Sequence, residues 1–430
     1  MKYCSRCVYP ENHAYGITFD FQGVCSGCRI HEEKDKINWK LKILKLKRIL
    51  NGYKKKSQNN FDCIIPVTGG SDSFFIVDII KNKFKLNPLL VTYNTHYNTR
   101  VGIRNLAKLQ TVFDCDLLTL TIDPNLIKKI TKYTLKKFGS IYWHVLAGQT
   151  SFPVQTAIKY KIPLIVWGAH GFSDQAGMFS HLDEVEMTER CRNEHALMGI
   201  KPEDLLLKGS GINRNDIQNF IYPYDNEIEK IGLRGIYLSN YIRWDSKLQH
   251  EEMIRKYNYE TSLQNRTFNT YEDVHCFLSA DLHDYIKLLK FGYSRVYDHA
   301  SREIRLKRFS RDYAINLIEK YSKKFPKKLK IFCKWLGIAE SKFIQNIEKF
   351  RNRKIWKKNK STFYQISSIH EYQNKFISQV SFKIKGNKNF KVNSSNTWDK
   401  EDNFILMGRG YEDKYNFGSI KDHPQKKLVK

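Results

Sequence analysis

The chain has 430 residues, of which 41% are hydrophobic and 13% aromatic, and its formal net charge at pH 7 is +29. A chain of this length and composition can bury a sizeable core and is expected to form more than one domain. It contains neither an apolar run of about 18 residues, which a membrane-spanning helix needs, nor the apolar core of a secretory signal, so we predict a cytoplasmic protein without a membrane span.

Two cysteine pairs near the N-terminus have the spacing of a zinc site. Cys4 and Cys7 form one C-x-x-C, and Cys25 and Cys28 form a second after a gap of 17 residues. A two-residue gap lets both thiolates of a pair face one tetrahedral Zn²⁺ ion, and four thiolates leave no open position. We therefore predict a structural zinc knuckle, and not a redox pair, for which a thioredoxin-like context is missing.

The positive charge is spread widely along the chain. Because nucleic-acid interfaces cluster their cations against phosphates, a solvated basic surface is favoured and no nucleic-acid partner is expected. The run KDKINWKLKILKLKRIL, which begins at Lys34, has apolar residues at helical spacing and predicts an amphipathic helix with a basic outer face. The run KKFPKKLK, which begins at Lys323, is interpreted in the same way. Either face could also contact an acidic protein partner.

A glycine-rich turn follows the first predicted strand. The run FDCIIPV from Phe61 predicts a buried strand, and SFFIVDIIKNKF from Ser73 predicts the helix after it. The turn VTGGSDS between them therefore lies at a helix N-terminus, where free backbone N–H groups and the helix dipole attract an anion. Gly69 and Gly70 allow the anion to approach closely. The turn is predicted to cradle phosphate.

The side chains of this turn refine the prediction. Its hydroxyl donors are Thr68, Ser71 and Ser73. A Walker loop would end in Gly-Lys-Ser/Thr, but here Asp72 precedes the last serine and no lysine is present. A carboxylate repels phosphate unless a cation lies between them, so Asp72 is predicted to hold Mg²⁺. A capping role for Asp72 in a simple turn is the alternative.

The turn resembles the S-G-G-x-D-S pyrophosphate loop of the ATP pyrophosphatase superfamily, with Thr68 in place of the usual serine. The resemblance implies an enzyme that converts ATP to AMP and pyrophosphate, with ATP bound along residues 68–73. It also implies catalytic roles for Ser71, Asp72 and Ser73.

Further alternating elements follow the turn. NPLLVTYNTH from Asn87, CDLLTLTID and IPLIVWGAHG from Ile162 predict strands, and TRVGIRNLAKLQTVF predicts a helix. This order predicts an α/β fold with a doubly wound, mostly parallel sheet of the ATP pyrophosphatase type. Ligands lie at the carboxyl ends of such strands. The rule places Thr92, Tyr93 and Asn94 beside the adenosine and Gly168 and His170 opposite the phosphates.

Other segments resemble the N-acetyl sugar amidotransferases of surface-polysaccharide and nonulosonic-acid biosynthesis. They include CSRCVYP, GITFDFQGVCSGC, WGAHG, GIYLSNYIRWD and WLGIAESKFIQNIEKFRNRKIW, and the most specific is DLHDYIKLLKFGYSRVYDHASREIRLKRFSRDYA. Together they cover most of residues 1–356. In WGAHG, Ala169 and then His170 stand where an acidic residue is expected.

This resemblance implies that the acetamido oxygen of an N-acetylated sugar, expected to be nucleotide-linked, attacks the α-phosphate of ATP, and that ammonia then gives an acetamidino group and AMP. No glutaminase nucleophile is recognisable, so a separate glutaminase and an ammonia-channelling, synthase-like subunit are implied as partners. Asp245, Arg302 and Arg305 are the candidate substrate ligands. The two arginines could equally lie on a solvated basic helix face, and Asp245 could equally end a turn.

The proposed organisation has five segments: 1–35, the zinc module; 36–60, a basic helical linker; 61–260, the adenylating domain; 261–356, a helical substrate or partner region; and 357–430, a polar lysine-rich tail. The alternative function is a tRNA sulfurtransferase of the same superfamily. The cysteines outside the knuckle lack C-x-x-C spacing, which argues against it.

Overall fold

The computed structural model describes residues 1–56, 61–207, 209–360, 362–373 and 382–393. Most of the predicted tail, including all of it after residue 393, lies outside the described residues. The division of the chain into five segments stays a prediction. No helix in the described ranges combines the length and the apolar character that crossing a bilayer requires.

A parallel sheet of five strands forms the centre of the fold. Its strands are β1 Cys63–Pro66, β2 Pro88–Tyr93, β3 Leu117–Leu120, β4 Leu164–Trp167 and β5 Arg234–Tyr237. They are arranged in the order β3-β2-β1-β4-β5, so the direction of winding reverses between β1 and β4. The carboxyl ends of these two strands border the crevice in which doubly wound folds bind ligands. The predicted α/β fold with a doubly wound, parallel sheet is confirmed.

Helices surround the sheet in the described residues. They are α1 Ser26–Lys36, α2 Trp39–Lys56, α3 Ser71–Val77, α4 Arg100–Val112, α5 Pro124–Phe138, α6 Trp143–Tyr160, α7 Glu189–Cys191, α8 Asp225–Ile231, α9 Ser246–Tyr257, α10 Asp284–Phe291, α11 Arg295–Arg305, α12 Arg311–Ser322, α13 Leu329–Leu336, α14 Glu340–Glu348 and α15 Ile369–Gln373. A two-stranded antiparallel sheet joins β6 Trp356–Asn359 to β7 Thr362–Gln365.

Helices cover both faces of the sheet. Successive side chains of β1 point to opposite faces, and each set packs against different helices. Ile65 packs with Phe74 of α3 and Leu109 of α4. Ile64 packs on the other face against Val154 of α6. Strands β1 and β2 are therefore almost entirely buried, as expected when helices cover both faces of a parallel sheet.

The N-terminal cysteine module shares a core with the C-terminal helices. Its cysteines and Tyr9 belong to one apolar cluster with Ala300 and Ile304 of α11 and Ile315 of α12. The helical C-terminal region expected from the sequence is present as α10–α14. Segments that are distant in sequence thus share one hydrophobic core.

The basic runs have different outcomes. The run from Lys34 is helical in α1 and α2, and α2 exposes Leu41 and Leu44 among its lysines. The helix predicted over KKFPKK is wrong, because α12 ends at Ser322 and α13 begins only at Leu329. Pro326 has no N–H group and disfavours helical geometry in the residue before it, which separates the two helices.

Candidate functional site

The glycine-rich turn connects β1 to the N-terminus of α3, as the sequence predicts. Gly70 is the extended N-cap residue, and Ser71 is the first residue of the helix. The backbone N–H of Thr68 donates to Ser73 Oγ at 2.9 Å, and that of Gly70 donates to Thr68 Oγ1 at 3.1 Å. The Thr68 and Ser73 hydroxyls therefore hold the turn in shape, in addition to any contact with a ligand.

Gly69 lies against α4 so closely that no side chain fits. A Cβ at this position would be 2.0 Å from the carbonyl oxygen of Gly102, far inside the van der Waals limit. The glycine thus lets the turn and the first part of α4 meet, and a cavity lies beside this contact.

The first cavity has a volume of about 540 Å³ and lies between the turn, the carboxyl ends of β2 and β3, and α4. The predicted ATP ligands that line it are Thr68, Gly69, Thr92, Tyr93 and Asn94. Its apolar walls include Ile103, Leu106 and Leu117, and His275 closes one side. An apolar slot with a few polar groups beside a phosphate-type turn suits an adenosine, and nucleotide binding here stays a prediction.

A second cavity, of about 220 Å³, lies on the other side of the turn, where the Asp72 side chain is 45% exposed. Its wall comes from the cysteine module, the residues after β4, and α11. The charged residues that line it are Lys34, Asp72, Asp174, Glu272, Arg295, Asp298, Arg302 and Arg305. Positive and negative side chains are equal in number in this set. Such a lining suits a polar ligand with many hydroxyl groups better than a highly charged one.

Ion pairs fix the orientation of the groups in this second cavity. Glu272 contacts Arg302 Nη2 at 2.5 Å and His299 Nε2 at 3.2 Å. Burial alone would raise the pKa of Glu272, but Arg302 and His299 outweigh it and hold that pKa well below its ordinary value. Glu272 is therefore an ionised hydrogen-bond acceptor at neutral pH.

Asp72 also has a protein partner that the sequence does not indicate. His250 Nε2, on α9, lies 2.9 Å from Asp72 Oδ1, and the His250 side chain is fully buried. The two residues are 178 positions apart. Asp72 Oδ2 has no partner in the described residues, so it is the oxygen that a Mg²⁺ ion would contact, consistent with the predicted role.

The predicted substrate ligands have different positions. Arg302 and Arg305 line the second cavity, and Arg305 also donates to the carbonyl oxygens of Asp174 and Gln175 at 2.8 and 2.9 Å. Asp245 is not in the lining. It accepts from the backbone N–H of Leu248 at the start of α9 and pairs with Arg308 at 2.8 Å.

The four N-terminal cysteines fit a tetrahedral ion. All are at most 1% exposed, and their Sγ atoms lie within 4.8 Å of one another. Cys7 and Cys25 have Sγ atoms 3.6 Å apart. Zn–S bonds of about 2.3 Å at tetrahedral angles require sulfur separations of about 3.8 Å, so four thiolates could hold Zn²⁺ here and would leave no position for a substrate.

This module is packed directly onto the edge of the second cavity. The left-handed residue Gly177 would place a Cβ 2.5 Å from the backbone of Ser26, so a glycine is needed where the segment after β4 meets α1. Ser26 Oγ donates to Ala176 O at 2.6 Å, and Lys34 pairs with Asp174. Tyr9, from the same module, lines the cavity. The module is thus part of the site's wall.

The residues predicted opposite the phosphates do not line the first cavity. Neither Gly168 nor His170 lines the first cavity. His170 is 2% exposed, its Nδ1 lies 2.9 Å from Ser173 Oγ, and its Nε2 faces Cys191 Sγ at 3.8 Å. His195 Nδ1 lies 3.6 Å from the same sulfur. A role of His170 in ATP binding stays a prediction, while its observed partner is a thiol.

Sequence reasoning did not identify this His-Cys-His group. The signal available was the spacing Cys191-x-x-x-His195, which puts both side chains on one face of a helical turn. Burial lowers the pKa of His170 to about 4 and also lowers the pKa of His195, so both imidazoles are neutral at pH 7. For His250, His275 and Glu272, no local pattern in the sequence indicates a place in the site.

Residues 237–370 match a family model that is described as "LPS biosynthesis protein WbpG-like, C-terminal domain". The matched segment runs from the last residue of β5 into α15 and includes α11, which lines the second cavity. For this part of the chain, the relationship to surface-polysaccharide biosynthesis proteins suspected from the sequence is confirmed.

Other comparisons are more distant. An uncharacterized protein of Methanocaldococcus jannaschii, MJ1599, is 29% identical over 120 residues, which are 28% of this chain and 43% of that protein. The chain therefore matches less than half the length of this relative.

Two solved structures are similar over part of the chain. The NH3-dependent NAD synthetase from Campylobacter jejuni in complex with the nitrate ion is 13% identical, with a TM-score of 0.28, and the match covers 45% of this chain and 92% of that chain. The NMN synthetase from Francisella tularensis is 12% identical, with a TM-score of 0.27, and the match covers 53% and 98%. With scores this low, neither likeness supports an inference about fold or activity.

Proposed function

We propose, from the premise that residues 237–370 belong to the WbpG-like C-terminal domain family of LPS biosynthesis, that this chain is an ATP-dependent amidotransferase. It would convert the acetamido group of an N-acetylated sugar to an acetamidino group, with release of AMP and pyrophosphate. The observation that carries the proposal is the position of the turn VTGGSDS between an apolar cavity of about 540 Å³ and a polar cavity of about 220 Å³.

The two cavities suit the two substrates of such a reaction. Adenosine would occupy the first cavity beside Thr92 and Asn94, and the triphosphate would lie along the turn at the N-terminus of α3. The sugar would occupy the second cavity, beside Asp72. This arrangement would present the acetamido oxygen to the α-phosphate across the turn.

The chemistry follows from the weak reactivity of an amide. The acetamido oxygen attacks the α-phosphorus, and the bond to the bridging oxygen breaks, so that pyrophosphate leaves with the electron pair. Ammonia then adds to the activated carbon, AMP departs with the former amide oxygen, and loss of a proton leaves the amidine. The protein contributes positioning and charge stabilisation. A Mg²⁺ ion held by Asp72 would neutralise phosphate charge.

The residues of the second cavity would bind and orient the sugar. Glu272, held ionised by Arg302, can accept hydrogen bonds from sugar hydroxyls, and Arg302 can donate to ring or acetamido oxygens. The cysteine module would hold Zn²⁺ as a structural ion and keep Tyr9 in the wall. No zinc chemistry is needed at the sugar.

Ammonia would come from a separate glutaminase, through a synthase-like subunit that channels it. In the described residues, α2 exposes Leu41 and Leu44 between lysines, which makes it a surface on which such a partner could bind. The proposal thus includes a glutaminase partner and an N-acetylated sugar as the substrate.

The proposal is tested by supplying the purified chain with ATP, ammonium chloride and a panel of N-acetylated sugars, free and nucleotide-linked, and identifying products by mass spectrometry. We expect one sugar to lose one oxygen and gain one nitrogen and one hydrogen, with one AMP formed per product molecule. AMP formation that depends on none of the sugars, or a product carrying sulfur on an RNA, would contradict it.

A further inference from the structure

The structure holds a second group of metal-type ligands, separate from the four N-terminal cysteines. His170 follows the carboxyl end of β4, Cys191 is the last residue of α7, and His195 lies one turn further on, in the π-helical segment Arg192–Ala196. The three ligand atoms lie within 4.8 Å of one another. We propose that His170, Cys191 and His195 form a binding site for a zinc-class divalent transition metal ion, with one coordination position left open.

The distances agree with such a site. Zn–S bonds of about 2.3 Å and Zn–N bonds of about 2.0–2.1 Å at tetrahedral angles require S···N separations of about 3.5–3.6 Å. The observed separations from Cys191 Sγ are 3.8 Å to His170 Nε2 and 3.6 Å to His195 Nδ1. Both nitrogen atoms thus already stand nearly at the distance from the sulfur that a bound ion would impose.

The surroundings of His170 also favour metal binding. Its Nδ1 is 2.9 Å from Ser173 Oγ, so Nδ1–H can donate to that hydroxyl and leave the Nε2 lone pair directed at Cys191. A hydrogen bond of this kind fixes the tautomer and ring orientation of histidine ligands in metal sites. The backbone N–H of His170 donates to Ser239 Oγ at 3.1 Å, which holds the residue after β4 in place.

A buried cation, Arg192, anchors the helical turn that carries Cys191 and His195 on the face opposite to these two side chains. Arg192 is 1% exposed, and its guanidinium donates to Thr150 Oγ1 at 3.0 Å and to the carbonyl oxygen of Phe220. The residues Arg192–Ala196 form a π-helical turn, a geometry that is frequent at functional sites. The thiol and the imidazole therefore keep their relative positions when the ion is absent.

The choice of ion follows from the ligands. One thiolate and two imidazoles suit zinc and the borderline metals near it, whereas Mg²⁺ and Ca²⁺ prefer oxygen ligands. The rings of Phe172 and Phe179 contact both histidines, at centroid distances of 4.4 to 5.7 Å, and limit access by water. His195 also lines a cavity of about 460 Å³, from which a small molecule could reach the open position.

The test compares the metal content of full-length variants purified under reducing conditions from zinc-supplemented cells. We expect Cys191→Ser and His195→Gln each to contain one zinc per chain fewer than the wild type, with zinc at the four-cysteine module retained. Cys115→Ser is the matched control, because Cys115 is equally buried but has no histidine beside it in the described residues, and it should keep the wild-type content. Zinc content unchanged in both site variants would overturn the proposal.

A second measurement does not depend on the variants folding. In wild-type protein under non-denaturing conditions, Zn²⁺ should protect Cys191 from alkylation, measured by peptide mass spectrometry, while the labelling of Cys115 stays unchanged. Equal alkylation of Cys191 with and without added Zn²⁺ would overturn the proposal. Neither readout requires ATP or a sugar, so a failed amidotransfer assay leaves this inference to be judged by itself.

Discussion

The Asp72 carboxylate is held by a hydrogen bond from a fully buried imidazole: His250 Nε2 lies 2.9 Å from Asp72 Oδ1. This contact ties the phosphate-type turn at the start of α3 to α9, which packs against α3. It engages one carboxylate oxygen of Asp72, a residue that also lines the second cavity. The catalytic importance of Asp72 can therefore be tested separately from its role in packing.

Asp72→Asn should abolish Mg²⁺-dependent ATP turnover and leave the fold intact. The amide can still hydrogen-bond to His250 but cannot neutralise a cation, and loss of one such electrostatic contact costs about 100- to 1,000-fold in rate. Sugar-dependent pyrophosphate release is the measurement, with circular dichroism as the control for folding. Release at the wild-type rate would exclude Asp72 as the metal ligand.

Gly69→Ala should damage the ATP site through the backbone. Its Cβ would lie 2.0 Å from the carbonyl oxygen of Gly102, so the turn must shift. A displacement of about 1 Å at a reacting group can cost about 100-fold in turnover. Gly52→Ala is the matched control, since a Cβ at Gly52 in α2 meets nothing within 4 Å. Equal ATP turnover in the two variants would show that the turn tolerates the shift.

Cys25→Ser should remove zinc from the N-terminal module and destabilise the protein. Loss of a structural metal is among the few single changes that cost about 4 kcal/mol or more in the free energy of unfolding. Zinc analysis and thermal unfolding of the full chain are the measurements. An unchanged zinc content would contradict a four-thiolate site.

Glu272→Gln should lower stability at neutral pH by about 1–3 kcal/mol, because Arg302 and His299 lose an ionised partner. The folded-state pKa of Glu272 lies well below its ordinary value of 4.5. Its contribution is therefore fully present above pH 4.5 and is lost as the pH falls toward the folded-state pKa.

The difference in unfolding free energy between wild type and Glu272→Gln should accordingly shrink on acidification below pH 4.5. Denaturant unfolding across pH measures it. Glu229→Gln, at an exposed position of α8, is the control and should show no such trend. A difference that grows on acidification would show that Glu272 is not held ionised in the folded protein.

The source of ammonia gives a further prediction. The chain by itself should form the amidine with ammonium salts, and faster as the pH rises, because the free base is the nucleophile. It should fail with glutamine until a glutaminase partner is added. Product from glutamine and this chain alone would reveal a glutaminase site that the sequence reading missed.

The elements that the sequence predicted well depend on local pattern. The strands β1 to β4 are short apolar runs with turn residues after them, and the turn at Gly69 and Gly70 was recognisable because its glycines and hydroxyls are adjacent in the chain. The zinc-type cysteines are similarly local. Each of these signals lies within one supersecondary unit, so no tertiary contact was needed to find it.

The contacts that complete the site are not local. His250 reaches Asp72 from 178 positions away, and Glu272 and Arg302 meet only because α11 folds back over the sheet edge. Asp245, which the sequence left as either a substrate ligand or the end of a turn, caps α9 and pairs with Arg308, a partner 63 positions away. Sequence spacing does not specify which partner a charged side chain will find.

The contact between Gly177 and Ser26 joins the cysteine module closely to the segment that follows β4. Tyr9 and Lys34 of the module line the second cavity, and its buried thiols contact Arg305, which lines the same cavity. Removal of zinc would therefore alter the shape of the cavity in which the sugar is proposed to bind, although no cysteine of the module lines that cavity. The metal would thus affect the reaction by maintaining the shape of the cavity wall, and not by contact with the substrate.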